Sequence, residues 1–185
     1  MWPWAHLGLA YVAYLFVRPR AWWRADRLTL GALVLGTQLP DLIDKPAAWV
    51  FGVLPSGRSL AHSLVFVLPL LLIVAVVCRR RARREAGVAF GFGVLSHLVL
   101  DALGPFLAGD YGELGFLLWP LTPPPPYDEP GNLGELLTAV LGTQFSPAFA
   151  LQLAVGALLG TVFCYHVWRA GSAGTGDDPG RRRRR

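Results

Sequence analysis

The sequence predicts an all-α integral membrane protein, a bundle of about five transmembrane helices. Composition is the first reason, because 54% of the residues are hydrophobic and 16% are charged, whereas soluble domains carry about 25% charged residues. The apolar residues also form long uninterrupted runs, and the basic residues gather in blocks beside those runs. These patterns predict a multi-pass protein of the cell membrane, with the lipid bilayer as a partner.

Five runs approach the roughly 20 apolar residues that a helix needs to cross the hydrocarbon core. The predicted spans are Trp2–Val17, Leu28–Ile43, Leu60–Cys78, Ala86–Leu103 and Ala148–Trp168. The third is the clearest, because its stretch Leu64–Cys78 contains no charged residue. A signal peptide is the alternative for the first run. A signal peptide carries its positive charge ahead of the apolar residues rather than after them, so we expect an uncleaved helix.

The basic residues predict the direction of the chain. They lie beyond the first, third and fifth runs, and the two exceptions are Lys45 and Arg58. Alternating helices therefore bring nearly all of the positive charge to one side, which the positive-inside rule identifies as the cytoplasm. The N-terminus is then outside, and the C-terminus is cytoplasmic.

The chain divides into one transmembrane helical domain, residues 1–170, and a tail, residues 171–185. The tail is glycine-rich and then basic, so we expect it to be disordered and to bind anionic lipid. Nucleic acid is not expected as a partner, because membrane topology accounts for the arginines that flank the helices.

An apolar region, residues 104–147, is expected to cover the outer face of the bundle. Its segment Leu114–Leu121 is too short to span and is expected to be re-entrant, interfacial or buried. Pro123–Pro126 predicts an extended polyproline stretch. Asn132 and Glu135 have the spacing of a capping box, which predicts a short helix beginning there and ending some nine residues on.

Histidines and aspartates from four predicted helices converge on the outer face. The candidate metal ligands are His6, Asp41, His62, His97 and Asp101. His97 and Asp101 are four residues apart, so they share one helix face. A carboxylate within a membrane helix costs about 2.5–3.5 kcal/mol, so Asp101 requires a partner. His166 lies at the opposite, cytoplasmic end of the fifth helix and is excluded.

Each candidate also has a simpler interpretation. His6 lies near the tryptophans of an aromatic belt, and His62 lies where a helix start contacts lipid head groups. Asp41 and Asp44 are compatible with a polar helix end, and the pair on the fourth helix is compatible with a local hydrogen bond. The joint occurrence of all these residues on one face favours a metal site.

Imidazole and carboxylate ligands without thiolate favour zinc, with manganese or iron as alternatives. The ligands outnumber the four of one tetrahedral site, which is compatible with a two-metal hydrolytic centre. Asp44 is expected to be a further ligand or the general base. Arg58 is expected to position an anionic substrate, since its guanidinium binds phosphate bidentately. The alternative for Arg58 is an ion pair with Asp110, Glu113 or a lipid head group.

These residues make the sequence resemble the YdjM-like family of membrane-bound metal-dependent hydrolases. The matching elements are, in order, His6, Pro40-Asp41 with Asp44, Arg58 with His62-Ser63, His97 with Asp101, and Trp119-Pro120. The resemblance covers about the first 120 residues. It implies a helical integral membrane protein with metal-dependent hydrolase activity, and it implies no particular substrate.

One position departs from the family's pattern. Many members carry a further histidine just before the arginine, and here that position is Gly57. A ligand or proton donor of the family is therefore absent, which bears on activity. The order of histidines and aspartates is also similar to that of the all-α zinc-dependent phospholipases C, which implies a phosphoester substrate at the membrane surface.

The expected function is thus a metal-dependent hydrolase at the extracytoplasmic face, acting on a lipid or lipid-linked phosphoester. Two alternatives stay open. A transporter or proton pathway would need titratable groups across the membrane, and His166 is the one suitable group of the inner half. A non-enzymatic protein would use a metal to fasten its helices, at a site with no open coordination position.

Overall fold

The computed structural model describes residues 3–18, 25–123, 134, 135, 138 and 147–172. Every regular element among these residues is helical, which confirms the predicted all-α class. The α-helices are α1 (Pro3–Val17), α2 (Arg27–Lys45), α3 (Leu64–Arg80), α4 (Arg84–Ala108) and α5 (Pro147–Ser172). A π-helical turn, Pro46–Val50, follows α2, and a 3-10 helix, Tyr111–Leu118, follows α4.

Helices α2 and α4 pack along each other at the centre of the bundle, with α1 and α3 against α4 and with α5 against α1 and α2. Glycines let the two central backbones approach closely. A Cβ atom added to Gly36 would lie 2.2 Å from the carbonyl oxygen of Phe90. A Cβ atom added to Gly93 would lie 2.6 Å from the carbonyl oxygen of Leu33. A larger side chain at either glycine would push the helices apart, so these contacts set the distance between the polar residues one turn further on.

The arginine-rich helix ends meet at one end of the bundle. Arg18, just after α1, binds both carboxylate oxygens of Glu85 in α4 at 2.8 Å. Asp26 caps α2 by accepting a 2.8 Å hydrogen bond from the backbone N–H of Thr29, and it lies 3.7 Å from Arg83. The histidines and aspartates of α1, α2 and α4 lie at the other end, as alternating helices require.

Among the described residues, one helix is long and apolar enough to cross a membrane: α4, with 25 residues and a mean hydropathy of 1.7. The apolar helical stretches Ala5–Val17 and Leu153–Arg169 are shorter. Helix α3 begins at Leu64, later than the predicted Leu60. Ser63 explains this start, because its hydroxyl accepts a hydrogen bond from the backbone N–H of Val65 and so caps the helix.

The outer apolar region lies partly within the described residues. The predicted segment Leu114–Leu121 lies mostly in the 3-10 helix, which ends at Leu118. Phe116 is fully buried, while Leu118 and Leu121 are exposed. The hydroxyl of Ser63 donates a hydrogen bond to the carbonyl of Trp119, which fastens the end of this segment over the bundle. Three predicted segments lie wholly or largely outside the described residues: the rest of the polyproline stretch, most of the short helix, and residues 173–185 of the tail. The first two residues of the predicted tail belong to the end of α5.

Candidate metal centre

Four side-chain atoms converge at one end of the bundle. They are Nε2 of His62, Nε2 of His97, Oδ1 of Asp41 and Oδ2 of Asp101. The two imidazole nitrogens are 3.2 Å apart. His62 Nε2 lies 3.6 Å from the Asp41 oxygen and 3.4 Å from the Asp101 oxygen. His97 Nε2 lies 3.7 Å from the Asp41 oxygen and 3.6 Å from the Asp101 oxygen. All four side chains are buried.

These separations fit a divalent ion. A metal about 2.0–2.2 Å from each of four ligands gives a tetrahedron with edges of about 3.3–3.6 Å. The five separations above lie between 3.2 and 3.7 Å, close to those edges. Two overlapping groups of three residues have ligand atoms within 4.8 Å of one another, and they are His6, His97 and Asp101, and Asp41, His62 and His97. The donor set of neutral imidazole and carboxylate is one that zinc accepts.

His6 of α1 joins the cluster at its edge. Its Nε2 atom lies 3.3 Å from Oδ1 of Asp101, the oxygen that faces away from the other imidazoles. Its ring stacks on that of His97, with centroids 4.1 Å apart. Its Nδ1 atom is buried and has no hydrogen-bond partner among the described residues. An unpartnered imidazole nitrogen in the interior is costly, and an additional ligand at this edge of the cluster would relieve that cost.

The position of His97 depends on the close contact between α2 and α4. Its Nδ1 atom donates a 2.7 Å hydrogen bond to the backbone carbonyl of Thr37. This bond fixes the tautomer, so that the lone pair of Nε2 points into the cluster. Asp101 lies one turn further along the same face of α4. Gly36 and Gly93 permit the approach that makes the Thr37 bond.

Asp44 contacts His62 on the side of the ring opposite the cluster, at Nδ1. Its oxygens accept hydrogen bonds from the backbone N–H groups of Ser59, Ala61 and His62, at 2.8 to 3.2 Å. They also accept a 2.8 Å bond from Nδ1 of His62. Asp44 is completely buried. Both of its oxygens are thus engaged by hydrogen bonds, the geometry of a residue that orients a ligand. The role of further ligand or general base, expected from the sequence, stays a prediction.

The surroundings of His62 make it a strong base. It lies in the connection that follows the π-helical turn, outside the helices. Burial lowers its pKa, but hydrogen bonds with Asp101, Asp41 and Asp44 raise the pKa more, to about 10. A metal that binds Nε2 must therefore displace a proton, and metal affinity is expected to fall as the pH is lowered.

Two cations balance the carboxylates. The Lys45 ammonium lies 2.6 Å from Oδ2 of Asp41, four residues earlier in α2. The Arg58 guanidinium lies 3.3 Å from Oδ2 of Asp101 and over the ring of Phe116, 5.8 Å from its centroid. Phe116 also contacts the His62 ring edge-on, at 6.2 Å. Arg58 therefore lies between Asp101 of the cluster and Phe116 of the 3-10 helix.

A cleft of about 540 Å³ opens beside the cluster. Its polar lining comes from Arg58, Asp101 and Glu113, and its apolar lining includes Leu103 and Leu107. Asp101 is the one member of the four-atom set that lines this cleft. A molecule in the cleft would thus reach the cluster from the side of Asp101 and Arg58.

The structure brings together all five predicted ligands, with Asp44 and Arg58 in contact with them. His166 lies apart, with Nδ1 3.2 Å from the hydroxyl of Tyr11. Sequence reasoning missed the Thr37 carbonyl, because a backbone acceptor leaves no residue signature. It also gave no place in the site to Lys45, although the four-residue spacing from Asp41 carries that information.

The comparisons with known proteins agree with the motif residues. The family model described as YdjM inner membrane protein matches residues 1–172. No curated protein and no solved structure matches the chain. The match confirms the resemblance, extends it from the motif residues to nearly the whole chain, and supports a membrane location. The chain belongs to the YdjM family of inner membrane proteins.

Proposed function

We propose that this chain is a multi-pass membrane protein that hydrolyses a phosphoester with a divalent metal ion held by the histidine–aspartate cluster. The observation that carries the proposal is the convergence of His62, His97, Asp41 and Asp101, with imidazole nitrogens and carboxylate oxygens 3.2 to 3.7 Å apart, beside an open cleft. These four residues would hold the ion, which would supply Lewis-acid chemistry for the attack of water on a phosphoryl group. Zinc is the favoured ion, with manganese or iron as alternatives.

The exposed apolar surface supports several membrane spans. Helix α3 buries one residue, Val67, and exposes Leu68, Leu72 and Ile73. Apolar surface in water costs about 25 cal/mol per Å², and a lipid environment removes that cost. The arginine-rich end of the bundle then lies in the cytoplasm, and the cluster lies at the extracytoplasmic face.

The charges of the site favour an anionic substrate. Three carboxylates of the cluster face two cations, Lys45 and Arg58. Ligation requires neutral histidines, so three carboxylates, two cations and a bound divalent ion leave a net charge of plus one. The cleft also has apolar walls. An anionic head on an apolar body, as in a lipid or lipid-linked phosphoester, matches both properties.

The residues of the chain take distinct roles in this proposal. Arg58 binds a phosphoryl oxygen in the cleft, where its fork gives bidentate contacts. Glu113 lines the same cleft, together with Arg58 and Asp101. Asp44 acts through His62 as a positioning residue, since hydrogen bonds already engage its oxygens. Asp101 lies between the cluster and the cleft.

Metal content and lipid hydrolysis test the proposal together. Protein purified in neutral detergent without chelator should contain stoichiometric metal by elemental analysis. His97→Gln and Asp41→Asn should lose the metal, and the control His166→Gln should keep it. Wild type should release phosphate or a phosphorylated head group from phospholipid vesicles, and the two cluster variants should not. A wild type without metal, or a His97→Gln variant with full activity, would refute the proposal.

A second candidate is a metal that only fastens the helices. The observation in its favour is that histidine and aspartate side chains of the protein lie close enough together to supply all the ligands, as in closed structural sites. Cobalt-loaded protein separates the two candidates, because its visible spectrum reports coordination. Inorganic phosphate should change the spectrum if a coordination position is open. A spectrum unaffected by phosphate would favour the fastening role.

A further inference from the structure

A second groove lies at the opposite end of the bundle from the cluster. It has a volume of about 500 Å³ and runs between α2, α3 and α4. Arg27, which begins α2, is about 20 Å along the helix axis from Asp41. The walls of the groove are apolar and include Leu35, Val74 and Val77. This second groove is therefore separate from the candidate metal centre.

Three arginines also line the groove: Arg27, Arg81 and Arg83. Arg83 lies 3.7 Å from Asp26 in an exposed pair, which is weak in water. Among the described residues, no carboxylate pairs with Arg27 or Arg81. The positive-inside rule explains why arginines lie on this side. It does not explain why arginines from α2 and from the α3–α4 turn line the same apolar groove.

We propose that the groove binds one anionic phospholipid, with its phosphate at Arg27 and Arg81 and an acyl chain along the apolar wall. A soluble anion would leave the apolar wall without a contact, and a neutral lipid would leave the positive charge of the arginines without a counter-charge. Basic pockets between membrane helices on the cytoplasmic side bind anionic lipid head groups. The bound lipid bridges α2 and α3 and stabilises the bundle. This proposal depends on the membrane location of the chain and is independent of any hydrolase activity.

Two variants of different chemistry test the groove. Arg27→Gln/Arg81→Gln removes charge and keeps the apolar wall. Gly31→Leu keeps both arginines and fills the groove, because a Cβ atom at Gly31 meets no atom within 4 Å. Arg80→Gln is the matched control, since Arg80 is exposed at the same helix end but does not line the groove.

The measurements are native mass spectrometry of retained lipid and thermal unfolding in neutral detergent, with phosphatidylglycerol added. Wild type and Arg80→Gln should retain one lipid and unfold at a higher temperature with it. Each groove arginine is expected to contribute about fivefold in affinity, so the double variant should bind about 30-fold more weakly. Gly31→Leu should lose the lipid although its charge is unchanged.

Three results would overturn the proposal. Equal retention by the groove variants and by Arg80→Gln would show that the arginines attract lipid without a site. Equal stabilisation by phosphatidylcholine would show that charge is irrelevant. Equal stabilisation by soluble glycerol phosphate would show an anion site rather than a lipid site. If the double arginine variant does not fold, Gly31→Leu still decides the question.

Discussion

Asp44→Asn is the substitution that separates orientation of a ligand from ligation itself. The asparagine side chain has the same shape, so it keeps an oxygen for the N–H donors of the connection but loses the charge. Hydrogen bonds to a charged acceptor contribute about 1.5–3 kcal/mol, and neutral ones about 0.5–1.5 kcal/mol. Asp44 accepts bonds from three backbone N–H groups and from Nδ1 of His62. Weakening these bonds together should destabilise the fold by about 2–4 kcal/mol.

The same substitution should weaken metal binding by about 10–100-fold, the usual effect of losing the partner of a ligating histidine. Zinc affinity is measured by titration against a competing chelator, and stability by thermal unfolding. Asp41→Asn should reduce metal binding much further, because it alters a proposed ligand. Asp110→Asn, an exposed carboxylate, is the control. Unchanged affinity in Asp44→Asn, or a loss as complete as in a folded Asp41→Asn variant, would refute the orienting role.

Three further predictions concern packing, metal and pH. Gly93→Ala should destabilise the fold by about 1–3 kcal/mol, because the new methyl group meets the α2 backbone. Gly104→Ala, which meets open space, should not destabilise it, and thermal unfolding compares the two. Chelation should lower the unfolding temperature and added zinc should restore it, since metal at 100 times its Kd contributes about 2.7 kcal/mol. Hydrogen bonds from Thr29 lower the pKa of Asp26, so its stabilising effect is present at neutral pH and is lost as the pH falls below about 4. Asp26→Ala should therefore cost about 1 kcal/mol of unfolding free energy at pH 7 and less in strong acid, where the uncharged carboxyl is a weaker acceptor.

The convergence of His6, Asp41, His97 and Asp101 could be predicted from the sequence, because in regular helices the direction and the residue spacing determine where each side chain lies. Alternating directions bring their ends together, and a spacing of four residues places a pair on one helix face. The irregular connection before α3 obeys no such rule. Its backbone N–H groups surround Asp44, and that arrangement assigns Asp44 its supporting position. Backbone donors and acceptors are the same in every residue, so no sequence pattern reports them.

The bonds of the cluster favour a metal used for chemistry over one that fastens helices. The close contact at Gly36 and Gly93 already joins α2 to α4. The carboxylates already have protein partners. Asp44 accepts hydrogen bonds from the backbone of the connection before α3. Asp41 pairs with Lys45, and Asp101 pairs with Arg58. The side chains are thus held at metal-binding distances by protein contacts, which is the preorganisation that a reaction centre requires. A fastening ion would duplicate a link between α2 and α4 that the backbone contact at the two glycines already makes. An ion bound at Asp101 would instead lie beside the cleft and could contact a molecule bound there.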